Sequence, residues 1–344
     1  MRLSAVLNCV AFASILTLTT AATAAPEPDI RVSTPIRHDN LAVYFVRGPS
    51  KAGPVPLTLE EALAKNVARV SETSNVNSLE IENLGDTPVF VQAGDIVKGG
   101  KQDRTLMVSL LLPPKSGRVS IASFCVEHGR WSPRGGEAAD KFSTSTASVP
   151  SREMKMAMQA PMPASPKTTR SFSETGERQQ KVWDGVQQMQ HKLAGNVGGD
   201  VRAPVSASSL QLALENDKLV AMRKTYIDAL QAAAKDDDIV GYVFAINGKL
   251  NSGDVYSSHA LFTKMWPKLL TASAVEAIGQ RNETAGEPPA VPAVLAFLQS
   301  ADAGTVSAKP LNFGVNRVTH ASPAAYMFET AKADGWVHKN YLAK

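Results

Sequence analysis

Cysteine is nearly absent from this chain of 344 residues, which contains only Cys9 and Cys125. Cys9 falls in a predicted leader, so the mature chain keeps one thiol and cannot form an intrachain disulfide. The six histidines show no paired spacing, and we therefore predict no metal site. Stability must come from burial of apolar side chains, for which a hydrophobic share of 44% suffices at this length.

A strong net charge is missing too, because 36 basic and 32 acidic residues leave only +4 at pH 7. This value is too small for the electrostatic footprint of a nucleic-acid-binding protein, so we predict no nucleic-acid partner. Long apolar runs are confined to residues 1–24, where Arg2 precedes a run that continues to Leu16 and small residues follow up to Ala24. The run is too short for a stable membrane span. We predict a signal peptide cleaved near Ala24, and a periplasmic or secreted protein with no transmembrane segment in the mature chain.

Residues 25–142 show mainly the pattern of β-strands. Apolar residues alternate with polar ones, as around Leu79 and Ile81. Thr58 and Glu61 have the spacing of a capping box, which predicts the start of a short helix. This part is therefore predicted to be a largely antiparallel, β-rich meander with one short helix.

Residues 176–344 combine helical and strand patterns. Helical spacing of apolar residues predicts helices at Gln180–Leu193, Leu210–Lys235, Ala260–Ile278 and Val291–Leu298. A β-branched run from Ile239 predicts a buried strand that ends in an Asn247-Gly248 turn. We expect this helix-rich α+β half to pack on the first, which makes the fold class α+β.

Residues 143–175 separate the two halves. Ser, Thr, Pro, Met and Ala replace large aliphatic residues here, so little apolar surface is left to offset the entropy of ordering. We interpret the segment as a flexible insertion. Its thioethers suit Cu(I), although a low-complexity linker is the favoured interpretation and no cofactor is assigned. The thioethers belong to Met154, Met156, Met158 and Met162.

The segment from Ala93 to Trp131 holds the densest group of charged residues and glycines, between two β-like runs. Its GGKQDRT and CVEHGRW motifs resemble the family called ADP-ribosylglycohydrolase- and rhodanese-phosphatase-superfamily-associated protein. The resemblance extends upstream to LTLEEALAKNVARVSET and downstream through GYVFAINGKLNSGDVYSSHALFTKMWPKLL, and so covers most of the chain. It implies genomic association with ADP-ribose and phosphate enzymes rather than a particular activity.

Two interpretations of this charged block remain open. The glycines do not have the spacing of a phosphate loop. Even so, arginine forks and glycine amides suit a small phosphate or carboxylate. The predicted ligand-binding residues are Gly99, Gly100, Lys101, Gln102, Arg104, Arg130 and Trp131. Alternatively, Asp95, Asp103 and Glu127 neutralise the basic residues in an internal salt-bridge network.

Three side chains of the block are candidates for catalysis. Asp95 or Glu127 would act as a general acid or base, although neither has a recognisable partner spacing. Cys125 is the third candidate, but a lone cysteine that ends an apolar strand is usually a small buried hydrophobe. The roles of the three therefore stay unassigned.

Aromatic and polar residues elsewhere give two further expectations. Trp183 falls on an apolar helical stripe, so we expect it in the core, whereas Trp131 is expected to line a pocket. Asn247, Asp254 and Tyr256 form a second polar stretch after a buried strand.

The sequence favours a binding or interaction module that recognises a small anionic ligand through the basic glycine loop. The ligand would bear phosphate or, as the resemblance implies, be ADP-ribose-like. One alternative is a hydrolase of a phosphorylated or ADP-ribose-related substrate, with Asp95 or Glu127 as general acid or base. The other is a structural envelope protein with an internal salt-bridge network.

Overall fold

The computed structural model describes residues 30–137, 141–162, 174–281 and 284–344. The predicted signal peptide, residues 1–24, lies outside these ranges. Among the described helices, none combines the length and the apolar character needed to cross a membrane.

Helices and strands occur in both halves of the described chain, which confirms the α+β class. The helices are α1 (Leu59–Ala64), α2 (Arg152–Gln159), α3 (Glu174–Val197), α4 (Leu210–Leu214), α5 (Asp217–Leu230), α6 (His259–Gly279) and α7 (Val291–Asp302). The first strands are β1 (Arg31–Val32), β2 (Ile36–His38), β3 (Leu41–Arg47), β4 (Leu57–Thr58), β5 (Ala68–Glu72), β6 (Ser78–Asn83), β7 (Val89–Val91), β8 (Asp95–Gly99) and β9 (Arg104–Leu106). The others are β10 (Leu110–Leu112), β11 (Gly117–Cys125), β12 (Phe142–Ser148), β13 (Ile239–Ile246), β14 (Lys249–Tyr256), β15 (Thr305–Pro310), β16 (Asn316–Ala321), β17 (Ala325–Lys332) and β18 (Gly335–Ala343).

The largest sheet joins the two ends of the chain. Its strands follow the order β1-β3-β13-β14-β18-β17-β16-β15, and β2 pairs with β3. All its pairs are antiparallel, with Tyr44 of β3 opposite Val243 of β13. Sheet membership therefore crosses the predicted division of the chain at residues 142–176, because β1 to β3 pair with the C-terminal half.

A second sheet, ordered β12-β8-β9-β11-β6-β5, contains most of the charged block. An antiparallel bridge between Ser71 and Lys141 joins its two edges, so the sheet curves until they meet. A small sheet, β10-β7-β4, packs beside it, and only the β4–β7 pair in it is parallel. The antiparallel, strand-rich N-terminal part is thus confirmed.

The short helix α1 begins as its capping box predicts. The Thr58 hydroxyl accepts a hydrogen bond from the amide of Glu61 at 3.1 Å, and the Glu61 carboxylate accepts one from the amide of Thr58 at 2.8 Å. The predicted helix Ala260–Ile278 matches α6. The predicted helix Leu210–Lys235 is instead broken into α4 and α5, because the Asn216 side chain accepts from the amides of Lys218 and Leu219 and caps a new helix start.

The flexible insertion predicted for residues 143–175 is wrong over most of its described length. Residues 142–148 form β12, which pairs with β8, and residues 152–159 form α2. Met154 and Met158 of α2 are fully buried in the main core. Residues 163–173 lie outside the described part of the chain.

Helix α2 ends on arginines from distant parts of the chain. Arg178 of α3 donates to the carbonyl oxygens of Ala157 at 2.9 Å and Ala160 at 2.8 Å, and Arg317 of β16 donates to that of Gln159. These donors satisfy carbonyl groups that a helix leaves unpaired at its C-terminus. Local composition cannot reveal such partners, which explains the error.

Candidate functional site

The charged block divides between the two faces of β9. Neighbouring side chains of a strand point to opposite faces. Arg104 shares the inner face of the curved sheet with Leu106 and lies opposite Cys125 of β11, whereas Asp103, just before β9, turns outward. The residues that the sequence groups together are therefore separated into two sets.

The inner set surrounds Arg104, which is 1% exposed. Its Nη1 donates to the backbone oxygen of Gln102 at 2.9 Å and to the Gln102 side-chain oxygen at 3.3 Å. Its Nη2 lies 3.7 Å from the carboxylate of Glu72. A fork enclosed in this way cannot meet an anion from solvent unless the sheet opens.

The outer set is a buried ion cluster, which we call the charged network: Asp103, Glu127, Arg130, Arg134, Ser206 and Ser209. Arg134 donates through two nitrogens to the two oxygens of Asp103, at 2.6 and 2.9 Å. Ser209 and the amide of Gly99 also donate to this carboxylate, each at 2.9 Å. Burial raises the pKa of Asp103 above its ordinary value, against the opposing effects of the Gly99 amide and Arg134.

Glu127 holds the second arginine of the charged network. Its Oε1 accepts from Arg130 Nε at 2.7 Å and from the Ser206 hydroxyl, and its Oε2 accepts from the amide of Asp103 at 3.0 Å. Arg130 also donates to the backbone oxygens of Gly99 and Gly100, at 3.3 and 3.0 Å. Every guanidinium nitrogen of Arg130 thus has an acceptor. The geometry therefore favours the internal network, and direct anion binding by this arginine stays a prediction.

The glycine turn positions these acceptors. Gly100 has a φ of 56°, and a Cβ there would lie 2.6 Å from Cζ of Phe142 and 2.7 Å from Oε1 of Glu72. The same Glu72 oxygen accepts from the amide of Lys101 at 2.8 Å. Glycine therefore suits position 100, because φ is positive there and because an added Cβ would force the Phe142 ring and the Glu72 carboxylate to shift.

Gly100→Ala should lower the free energy of unfolding by about 2 kcal/mol or more, since it adds overpacking to left-handed strain. Gly135→Ala is the matched control, because φ is 49° there but no atom lies within 4 Å of an added Cβ. Urea denaturation of both variants measures the difference. Equal losses would show that the Phe142 and Glu72 contacts contribute nothing.

The three catalytic candidates are all buried. Burial raises the pKa of the Cys125 thiol, which disfavours the nucleophilic thiolate. Burial opposes ionisation of Glu127, but Arg130, Ser206 and the amide of Asp103 outweigh it and lower the pKa of Glu127. Asp95 lies apart from both, and its carboxylate accepts from Lys268 at 3.2 Å and from the amide of Gln92 at 3.0 Å.

A groove of about 880 Å³ opens beside the charged network, between α3 and residues 198–208. Its wall includes His128, whose ring meets that of Trp183 edge to face, with centroids 4.4 Å apart. The backbone of His128 is fixed by Ser208, whose hydroxyl donates to the His128 oxygen at 2.6 Å and accepts from its amide at 3.1 Å. The groove is also lined by Gln180, Asp184, Gln187, Gln188, His191, Asp200 and Arg202.

The structure contradicts only the core expectation for Trp183, and the pocket expectation for Trp131 stays a prediction. Trp183 lines the groove rather than lying wholly in the core, because its helix turns only part of the predicted stripe inward. Trp131 is 58% exposed and is not among the residues lining the groove.

A second groove of about 410 Å³ lies on the other flank of α3 and is lined in part by Met156 and Met162. The four methionine thioethers that the sequence groups as possible Cu(I) ligands do not point to a common site, because Met154 and Met158 face the core while Met156 and Met162 line this groove.

The second polar stretch contributes to a buried cluster between α2, α6, β14 and β18. Asp254 accepts from His338 at 2.9 Å and from Asn340 at 3.0 Å. Glu276 of α6 lies near the same strand and accepts from Asn251 at 3.0 Å. In the part of the chain that the structure describes, no group of three or more His, Cys, Asp or Glu residues has an arrangement that holds a metal.

The sequence matches one known protein family. The model of the ARG and Rhodanese-Phosphatase-superfamily-associated Protein domain, in which ARG stands for ADP-ribosylglycohydrolase, matches residues 29–342. The chain belongs to this family. The comparison of this chain with curated proteins and with solved structures found no match.

The residues matched by the family model include the strands of both large sheets. A match of this extent agrees with the largest sheet, which combines strands from the two ends of the chain. The family is uncharacterised and brings no ligand or activity with it. Sequence reasoning missed Arg134, Ser206 and Ser209 of the charged network. The only local signal was Glu137 three residues after Arg134, with which Arg134 pairs at 3.1 Å.

Proposed function

We propose that the protein is a binding module whose ligand occupies the groove between α3 and residues 198–208. The observation that carries this proposal is an open groove of about 880 Å³ that combines polar side chains with apolar surface and has an aromatic ring in its wall. Clefts of this size that combine an aromatic wall with a few polar groups are typical ligand sites. The predicted signal peptide supports a module exported from the cytoplasm.

The charged network has a defined part in this proposal, because it fixes one wall of the groove. Glu127 precedes His128 and is bonded to Ser206, while the amide of Leu210 donates to the oxygen of Val126 at 2.9 Å. These bonds tie the CVEHGRW segment to residues 206–210. The block that dominates the sequence then supports the groove instead of contacting the ligand through its arginines.

Among the predicted ligand-binding residues of the glycine loop, Lys101 is the one that is exposed. The anion-binding hypothesis therefore depends on Lys101. The hydrolase alternative gains no support from geometry, because Asp95 and Glu127 are 2% and 0% exposed and already bonded. A structural role of the charged network is compatible with binding in the groove. The site of binding is therefore the property to test.

A thermal-shift screen of the chain from Ala25 onward should find a ligand among phosphate, nucleotides, ADP-ribose, sugar phosphates, dicarboxylates and neutral oligosaccharides. A ligand at one hundred times its Kd stabilises the native state by about 2.7 kcal/mol. Gln187 and His191 are exposed residues of the groove lining. Gln187→Ala and His191→Ala should therefore abolish the ligand-induced shift without changing the melting temperature of the free protein. Trp131→Ala is the control and should leave the shift intact.

Lys101→Ala separates this proposal from the anion-binding hypothesis. A shift that Lys101→Ala removes, and that both groove variants preserve, would place binding at the glycine loop and contradict the proposed groove. A shift lost only in the groove variants would support it.

A further inference from the structure

We propose that the groove takes an uncharged carbohydrate chain, an inference that rests on the binding function proposed above. Four features carry it: the pairing of the lining arginine with Asp200, the free amide groups, the carbon surface of Trp183 and the length of the groove.

The groove lining offers no uncompensated arginine or lysine. Arg202 donates to both carboxylate oxygens of Asp200, with contacts of 2.7 to 3.0 Å. This pairing lowers the pKa of Asp200 to about 2, so both groups stay charged and neutralise each other. An arginine fork or a lysine ammonium is the commonest partner of a phosphate or carboxylate, and the lining holds neither in a free form. Anionic ligands are therefore disfavoured in this groove.

Amide side chains are the most frequent polar groups of the lining. Gln187 and Gln188 are exposed, and within the described chain their side chains have no hydrogen-bond partner. Gln180 donates to Asp184 at 2.8 Å, which leaves its side-chain oxygen to accept. An amide carries donors and an acceptor, and a sugar hydroxyl carries both as well. The lining thus matches a ligand rich in hydroxyl groups.

Trp183 presents carbon rather than its polar edge to the groove. The side chain is partly exposed, but its Nε1 is buried and has no hydrogen-bond partner among the described residues. The ring surface that remains accessible is therefore apolar. A sugar ring has an apolar face of C–H groups, which packs against an aromatic ring while its hydroxyls reach the neighbouring amides.

The dimensions favour a chain of several sugar units over a single one. The lining residues of α3 run from Gln180 to Ala194, which corresponds to about 21 Å along a helix axis. The volume of about 880 Å³ lies in the upper part of the range of roughly 300–1,000 Å³ for small-ligand sites. A linear oligosaccharide would fill such a groove, whereas a monosaccharide would leave most of it to water.

Isothermal titration calorimetry tests the inference with hexasaccharides of glucose, N-acetylglucosamine and mannose, each beside a uronic-acid or phosphorylated counterpart. A capped heptapeptide completes the panel. At least one uncharged hexasaccharide should bind, and its Kd should rise at least tenfold in Trp183→Leu and in Gln187→Ala. Trp131→Leu is the control. The Kd should not change between about 0.05 and 0.5 M salt, because no ion pair is made.

The outcomes separate this inference from the function on which it rests. If a charged sugar or the peptide binds instead, with loss in Gln187→Ala, the groove is a binding site but the carbohydrate class is overturned. If binding is salt-sensitive and depends on Lys101 alone, the groove proposal falls as well. If no probe binds, the carbohydrate inference falls, while the broader ligand screen decides the groove.

Discussion

Asp103→Ala should lower the free energy of unfolding by about 3–5 kcal/mol. The substitution removes the carboxylate that Arg134, 6% exposed in its side chain, engages through two nitrogens. Arg134 keeps Glu137 and the more distant Glu127 as partners but loses two buried hydrogen bonds, which is strongly destabilising. It also removes the acceptor of the Gly99 amide and of the Ser209 hydroxyl. Urea denaturation followed by circular dichroism measures the loss.

Two controls show whether the loss comes from the buried hydrogen bonds of the Asp103 carboxylate. Asp228→Ala removes an exposed ion pair with Lys224 and should cost no more than about 0.5 kcal/mol. The double variant Asp103→Ala/Arg134→Met should recover part of the single-variant loss, because the Arg134 donors that lack an acceptor are removed as well. A loss below about 1 kcal/mol for Asp103→Ala would contradict a stabilising role of the charged network.

Local signals explain which parts of the fold were predictable. The capping box at Thr58 depends on residues three apart, and it formed as expected. The end of α2 depends instead on Arg178 and Arg317, of which the second lies 158 residues from its acceptor, Gln159. Composition alone therefore misassigned a segment that tertiary hydrogen bonds order. The same limit applies to β3, whose pairing with β13 spans about half of the chain.

The candidate site was predictable as a region but not as a geometry. Charge density along the sequence groups Asp103, Glu127 and Arg130, and the structure also brings these three together. Alternation along β9 separates Arg104 from them, and this depends on exactly where the strand begins. Trp183 was assigned to the core because helical periodicity shows which side of α3 is apolar, but not what lies beside it. The groove is formed by residues 198–208 folding back, which no spacing reveals.

Glu276→Gln should make the protein more stable than the wild type above pH 7. Glu276 is fully buried, and burial raises its pKa to about 7 despite bonds from the Arg152 amide and Asn251 and the nearby charge of Lys155. Glutamine keeps an acceptor for both donors, which contact Oε1 at 3.0 Å. The variant therefore removes the cost of ionising a buried carboxyl without breaking its bonds.

The sign of this effect follows from proton linkage. Between about pH 4.5, the ordinary value, and pH 7, native Glu276 keeps a proton that the unfolded chain releases, so wild-type stability falls as pH rises. The full loss is on the order of 3 kcal/mol, and denaturation curves from pH 5 to pH 8 measure it. The wild type and Glu276→Gln should converge at the acidic end.

Glu153, on the neighbouring helix α2, provides the opposite case. Burial opposes its ionisation, but its own amide, Arg152 and Ser151 outweigh burial and lower its pKa. The ionised Glu153 carboxylate contributes to stability above its ordinary pKa, and this contribution is lost as pH falls. Glu153→Gln should therefore reduce stability at neutral pH rather than raise it.

One outcome would contradict the prediction for Glu276. Parallel stability profiles for the wild type and Glu276→Gln would mean that Lys155 keeps Glu276 ionised at neutral pH.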